Sequence, residues 1–140
     1  MSKPGIPFVS ALWKSLASFF QYNIGLMCAR GGGGREDPAR AAEWYEKAAA
    51  NGHAGAQFSL GLMYYNGEGV ERDLAAARKL WEQAAEQGHS LAQYNLGVIY
   101  NNGEGVWRDL GKAREWYGKA CKNGLQQGCE KLRELTRFRT

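Results

Sequence analysis

The chain has 140 residues, 44% of them hydrophobic and 23% charged, and a net charge of +4. That balance belongs to a soluble globular protein and excludes disorder as the default state. No run approaches the ~20 apolar residues that would span a bilayer, so no integral membrane span is expected, and the basic residues alternate with Glu and Asp, which sets nucleic acid aside as a partner.

Residues 1–19 differ in pattern from the remainder of the chain. Phe8, Val9, Leu12, Trp13, Leu16 and Phe20 form an i, i+4 stripe, which predicts an amphipathic helix capping the residues after it. The alternative is a remnant export signal: Ser15-Leu16-Ala17 offers a small-residue cleavage site, although Lys14 interrupts the apolar stretch before it. Attachment to a membrane surface is a third reading.

From residue 20 the sequence repeats every 36 residues without a gap. Gly61 falls on Gly97, Gly67 on Gly103, Gly69 on Gly105, Asp73 on Asp109 and Ala84 on Ala120; the backward shift recovers Gly25, Gly31, Gly33, Asp37 and Ala48. The units are 20–55, 56–91 and 92–127, followed by a cap over 128–140. A fixed period in this range marks a stacked-repeat protein, whose units contact mainly their neighbours and whose function lies on an extended surface.

Each unit reads as helix, loop, helix. In 56–91, Ala56, Leu60, Gly61 and Tyr64 mark one face of a first helix near 56–66. Gly67 is the left-handed stop and Gly69 permits the turn after it, while Val70 and Val106 plug the loop onto the core. Asp37, Asp73 and Asp109 stand at helix N-caps, and Pro38 follows at a first helical position. The second helix, near 74–87, buries Ala77, Leu80 or Trp81, and Ala84, and stops at Gly88. Gly25, Gly61 and Gly97 are expected to face Ala41, Ala77 and Ala113, letting the paired axes approach closely. In the first unit the run Gly31 to Gly34 costs the loop its valine plug, so that loop is expected to be the most mobile. A last helix near 127–138 carries Lys131, Arg133, Glu134, Arg137 and Arg139, the polar outer face a terminal cap requires.

Chemistry-bearing residues are few. His53 and His89 share one repeat position, about 10 Å apart at helix spacing, too far to share a metal; turn-building roles are expected, with no metal and no cofactor. No Ser-x-x-Lys and no Gly-x-Ser-x-Gly elbow is present, and Glu68 and Glu104 are expected to face solvent in loops, so the chain is not expected to be an enzyme. The glycine run has no preceding strand and no Gly-Lys-Ser/Thr to cradle a phosphate. Cys121 and Cys129 straddle one helix-to-helix turn, and Cys28 stands where later units carry Tyr64 and Tyr100. That is compatible with one disulfide and one buried thiol. Trp107 is unshared, since Glu71 and Arg35 occupy its position elsewhere, and a lone loop Trp is a candidate contact anchor.

The spacing of Ala56, Leu60, Gly61, Tyr64, Gly67, Gly69, Val70, Asp73, Ala77, Trp81, Ala84, Ala85, Gly88 and His89 closely resembles the Sel-1-like repeat, a relative of the tetratricopeptide repeat. The resemblance covers roughly 20–132 and implies an all-α fold: a short right-handed α-solenoid whose first helices line a concave face. It also implies an adaptor that binds a protein or peptide; a monomer is expected. The alternative, a hydrolase of cell-wall or β-lactam amides, comes from the family link alone. First-helix positions that change between units are the contact candidates: Asn23, Arg30, Ser59, Tyr65, Asn66, Asn95, Asn101 and Asn102, with Trp107 beside them. The stretch from Ala120 and Cys121 to Gly128 and Cys129 resembles the cysteine pair of the cysteine-rich Sel-1-like proteins, which are secreted or periplasmic. Folding back at Gly124 would bring the two within disulfide range. A periplasmic or secreted location is therefore expected, with two reduced thiols in the cytoplasm as the alternative.

Overall fold

The computed structural model describes residues 7–137 apart from Gly33, with side chains from Ser10 onward. The sequence readings of Phe8 and Val9 as stripe residues, of Gly33 and of Arg139 lie outside the described side chains. Among the described residues there are seven helices and no strand: α1 Pro7–Arg30, α2 Pro38–Ala50, α3 Ala54–Asn66, α4 Leu74–Glu86, α5 Ser90–Asn102, α6 Leu110–Lys122 and α7 Gln126–Arg137. The substantial helix contacts all join consecutive helices, the arrangement of a stacked solenoid.

Local chemistry sets where each helix starts and stops. The carboxylates of Asp37, Asp73 and Asp109 accept from the N–H of Arg40, Ala76 and Lys112 at 3.1, 3.0 and 3.0 Å, satisfying a donor that the first turn leaves free. The first helices of the second and third units are capped differently. Nδ1 of His53 accepts from the Ala56 N–H at 3.0 Å, and Nδ1 of His89 from Ala92 at 3.2 Å. The histidines thus open α3 and α5, two residues before the starts read from the apolar pattern. Gly67 and Gly103 close these helices with φ +70° and +68°.

The core sets buried alanines beside an aromatic from each second helix, with Leu60, Met63, Leu96, Ile99 and Tyr100 of the first helices. Ala41, Ala77 and Ala113 are fully buried, as are Ala48, Ala84 and Ala120, and Tyr45, Trp81 and Tyr117 fill the space beside them. The atoms nearest the mid-helix glycines belong to these rings. A Cβ added to Gly25 would stand 2.7 Å from the Tyr45 ring and one on Gly97 2.5 Å from Tyr117. Val70 and Val106 pack against the core as the repeat predicts. Gln57 and Gln93, buried, stitch neighbouring units: each donates to the last turn of the preceding second helix, at Ala49 O and Ala85 O, and each accepts from the turn after the following one, at Gln87 and Asn123.

At the N-terminal end, α1 runs without a break through residue 19, joining the leading segment to the first helix of the first unit. The described members of its apolar stripe do not bury themselves on that unit. Leu12, Trp13, Leu16, Phe19 and Phe20 are 51%, 71%, 49%, 57% and 61% exposed. At the other end, Leu132 and Leu135 of α7 pack inward while Arg133, Glu134 and Arg137 face solvent.

Candidate functional site

Helical spacing puts Asn23 and Arg30, Ser59 and Asn66, and Asn95 and Asn102 at matching places on α1, α3 and α5. Asn23, Arg30, Asn66 and Asn102 are exposed; Ser59 and Asn95 are half-buried. Asn23 donates back to Phe19 O at 2.7 Å, and Asn102 donates to Glu104 at 3.3 Å. The half-buried pair lines the clefts between units.

These clefts repeat. Between units two and three lies a small cavity of about 110 Å³, lined by Leu62, Tyr65, Trp81, Asn95, Val98, Ile99 and Glu104. Between units one and two lies one of about 420 Å³, lined by Ala29, Glu36, Pro38, Tyr45, Ser59, Leu62, Met63 and Glu68. Shifted by one repeat, Ala29, Tyr45, Ser59, Leu62, Met63 and Glu68 become Tyr65, Trp81, Asn95, Val98, Ile99 and Glu104. The two cavities are thus one site occurring twice, with an aliphatic floor, an aromatic from the second helix, a small polar residue and a glutamate from the loop.

Tyr65 fills part of the smaller cavity. Its ring lies 5.5 Å from that of Trp81, and its hydroxyl donates to Oε2 of Glu104 at 2.6 Å. The hydrogen bond to Glu104, then burial, raises the phenol above its ordinary value. Tyr65 is therefore a structural tie between units two and three and lines the smaller cavity. Glu104, expected in solvent, is half-buried as its partner. Asn101, the equivalent of Tyr65, is half-buried beside Tyr117, whose phenol burial pushes up to about 12 against the opposing effect of Asn101. Glu68, Leu62 and Met63 were not singled out as site residues from sequence; the recurrence of Glu68 at Glu104 was the available signal.

Elsewhere, Trp107 is 93% exposed at the loop before α6. Burial lowers both histidines below the ordinary imidazole value, with the charge of His53 adding to the effect at His89. The rings stack on Tyr22 and Phe58 at 4.3 and 4.7 Å. Among the described residues no cluster of three or more His, Cys, Asp or Glu could hold a metal, and no helix is long and apolar enough to cross a membrane. Cys121 and Cys129 are joined by a disulfide with Cα atoms 4.6 Å apart. Gly128 permits that approach, since a Cβ there would stand 2.9 Å from the Cβ of Ala120. Cys28 is free and half-buried against the first core cluster.

Known structures and a family model agree with this architecture. The chain is similar to a protective antigen of uropathogenic Escherichia coli with an SLR fold (43% identity, TM-score 0.80, 82% of this chain and 25% of that one). It also resembles a Sel1 repeat protein from Oxalobacter formigenes (36% identity, TM-score 0.78, 82% and 47%). Cysteine rich protein B of Helicobacter pylori matches at 25% identity and a TM-score of 0.63, over 65% of this chain and 68% of that one. The chain spans a quarter and just under half of the first two relatives. No functionally curated protein matches it. The Sel1 repeat model matches three times in succession, over residues 18–53, 54–89 and 90–125. Those boundaries fall at the histidine caps of α3 and α5, and on them the chain belongs to the Sel1 repeat family.

Proposed function

We propose that this chain is a non-catalytic interaction module, an adaptor that takes a protein or peptide segment along the face of its first helices, α1, α3 and α5. The observation that carries the reading is the row of small polar side chains repeated from unit to unit above a recurring apolar cleft. Amide side chains both donate and accept, so Asn23, Asn66, Asn95 and Asn102 can meet a partner's backbone without selecting for charge. Arg30 and Trp107 supply a cation and an aromatic anchor at the rim. The module is expected to act as a monomer. The hydrolase alternative rests on resemblance alone, and no contact among the described residues favours it.

The disulfide supports a periplasmic or secreted location, since such bonds persist in oxidising compartments. Reduced thiols at Cys121 and Cys129 in protein alkylated as it leaves its own host would return the module to the cytoplasm. The binding reading is tested by placing a photo-crosslinking residue at position 66 or 102 and irradiating in the native host. A partner captured there, and not from an equally exposed position 43 on α2, is the expected result. Equal capture from both positions would overturn it.

A further inference from the structure

Among the differences between the two clefts, the exchange of Tyr65 for Ala29 bears on what the open one takes. In the closed cleft Tyr65 lies against Trp81 and places its hydroxyl on Glu104. In the open cleft the residue at that position is Ala29, while the aromatic wall (Tyr45), the aliphatic floor (Leu62, Met63) and the glutamate (Glu68) are all retained. About 420 Å³ falls within the ~300–1,000 Å³ of pockets that take small ligands; about 110 Å³ does not. The rim of the open cleft adds Glu36, so both charged groups there are acceptors and neither can donate. An occupant must therefore be flat and apolar along its body and carry a donor at its tip. The chain displays such an occupant in the neighbouring cleft.

We infer that the cleft between the first and second units is a receptor pocket for a tyrosine side chain of the partner, its ring on Leu62 and Met63 and its hydroxyl donating to Glu68. This deepens the adaptor reading and rests on it: the pocket would anchor a segment lying on the first-helix face. Tyrosine is preferred over phenylalanine because the hydroxyl completes the carboxylate's hydrogen bond, and over lysine because the cleft walls reward a ring. The missing side chain at Ala29 makes the specificity external, where at the next junction it is internal.

The test needs no identified partner. N-acetyl-tyrosinamide, N-acetyl-phenylalaninamide and N-acetyl-lysinamide are titrated into the ¹⁵N-labelled chain to millimolar concentration. The tyrosine probe is expected to shift the amides of Ser59, Leu62 and Glu68 saturably, with affinity about fivefold or more above the phenylalanine probe and with no comparable site for the lysine probe. Ala29→Tyr should fill the pocket from within and abolish the shifts, whereas Glu68→Gln should narrow the gap between tyrosine and phenylalanine. Tyr65→Ala should open a second pocket, and the tyrosine probe should then raise its melting temperature more than that of the parent chain. Absent or scattered shifts, equal response to tyrosine and phenylalanine, or binding untouched by Ala29→Tyr would each overturn the assignment. Crosslinking of a partner at positions 66 and 102 that persists unchanged in Ala29→Tyr would remove the pocket and leave the adaptor face standing.

Discussion

Gly61 lies directly under the indole of Trp81, so close that a Cβ on the glycine would overlap Nε1. The same N–H donates to Phe58 O at 3.1 Å, one turn away on α3, and Trp81 is 2% exposed. The ring therefore has nowhere to move. Gly61→Ala should destabilise the chain by about 1–3 kcal/mol through overpacking, although alanine is the better helix former by ~1 kcal/mol. Gly118, mid-helix in α6, is the contrast. Its added Cβ would meet only Leu132, at 3.9 Å. Gly118→Ala should stabilise by about 0.5–1 kcal/mol. Urea unfolding of the two variants checks both signs, and equal signs would contradict the packing.

Titration of the histidine caps should make stability depend on pH. The Nδ1 lone pairs that accept from Ala56 and Ala92 exist only on neutral imidazole. Both folded values lie below the ordinary 6.5, so the unfolded chain binds more protons over the window between the two. The contribution is therefore whole above about pH 6.5 and falls away as pH drops through the lowered folded values. The melting temperature should decline below pH 6.5 in the parent chain and decline less in His53→Asn with His89→Asn, because asparagine caps without titrating in this range. An identical decline in both would place the acid sensitivity elsewhere.

The disulfide should stabilise the C-terminal end. Cys121 and Cys129 are 8 residues apart, and closing so short a loop removes about 2.5 kcal/mol of unfolded-state entropy in the chain-entropy model. Cys129→Ser should lower global stability by up to that amount and raise amide exchange first in α7, which packs chiefly on α6. Uniform faster exchange across all seven helices would mean that the bond holds the whole stack together.

The tie between units two and three is measurable as a coupling. Removing the hydroxyl with Tyr65→Phe, or the charge with Glu104→Gln, should cost about 0.5–1.5 kcal/mol each. The double variant should lose less than the sum, as a double-mutant cycle reads it. Additive losses would mean that the hydrogen bond contributes nothing in solution.

Most of the fold was legible because its signals are local. Asp37, Asp73 and Asp109 announce helix starts, Gly67 and Gly103 announce stops, and the 36-residue shift joins them into units. The histidine caps were missed in that role because the apolar pattern begins only at Ala56 and Ala92, two residues inside the helices. The rings beside the mid-helix glycines were missed for a similar reason: spacing says that something must come close, and only packing says that an aromatic ring does. Tyr65 reads from sequence as a free contact residue because its position varies among Ala29, Tyr65 and Asn101. Variation there reflects how each junction fills its cleft, a contact 39 residues away in sequence at Glu104. A free contact residue cut to alanine would leave the melting temperature unmoved; with that hydrogen bond and the Trp81 contact in view, Tyr65→Ala should lower it.

We propose that partners bind on the face of the first helices. Asn66 and Asn102 are its exposed, equivalent members, one on α3 and one on α5. A direct measurement is the affinity of the crosslinked partner, once purified, for Asn66→Arg with Asn102→Arg, which keeps a donor beside Glu104, next to a Glu43→Lys control on α2. A loss of tenfold or more is expected for the first and none for the control, with melting temperatures of both matching the parent chain, as surface changes typically stay within ±0.5 kcal/mol. Undiminished affinity in the Asn66 and Asn102 variant, or equal loss in the control, would contradict it.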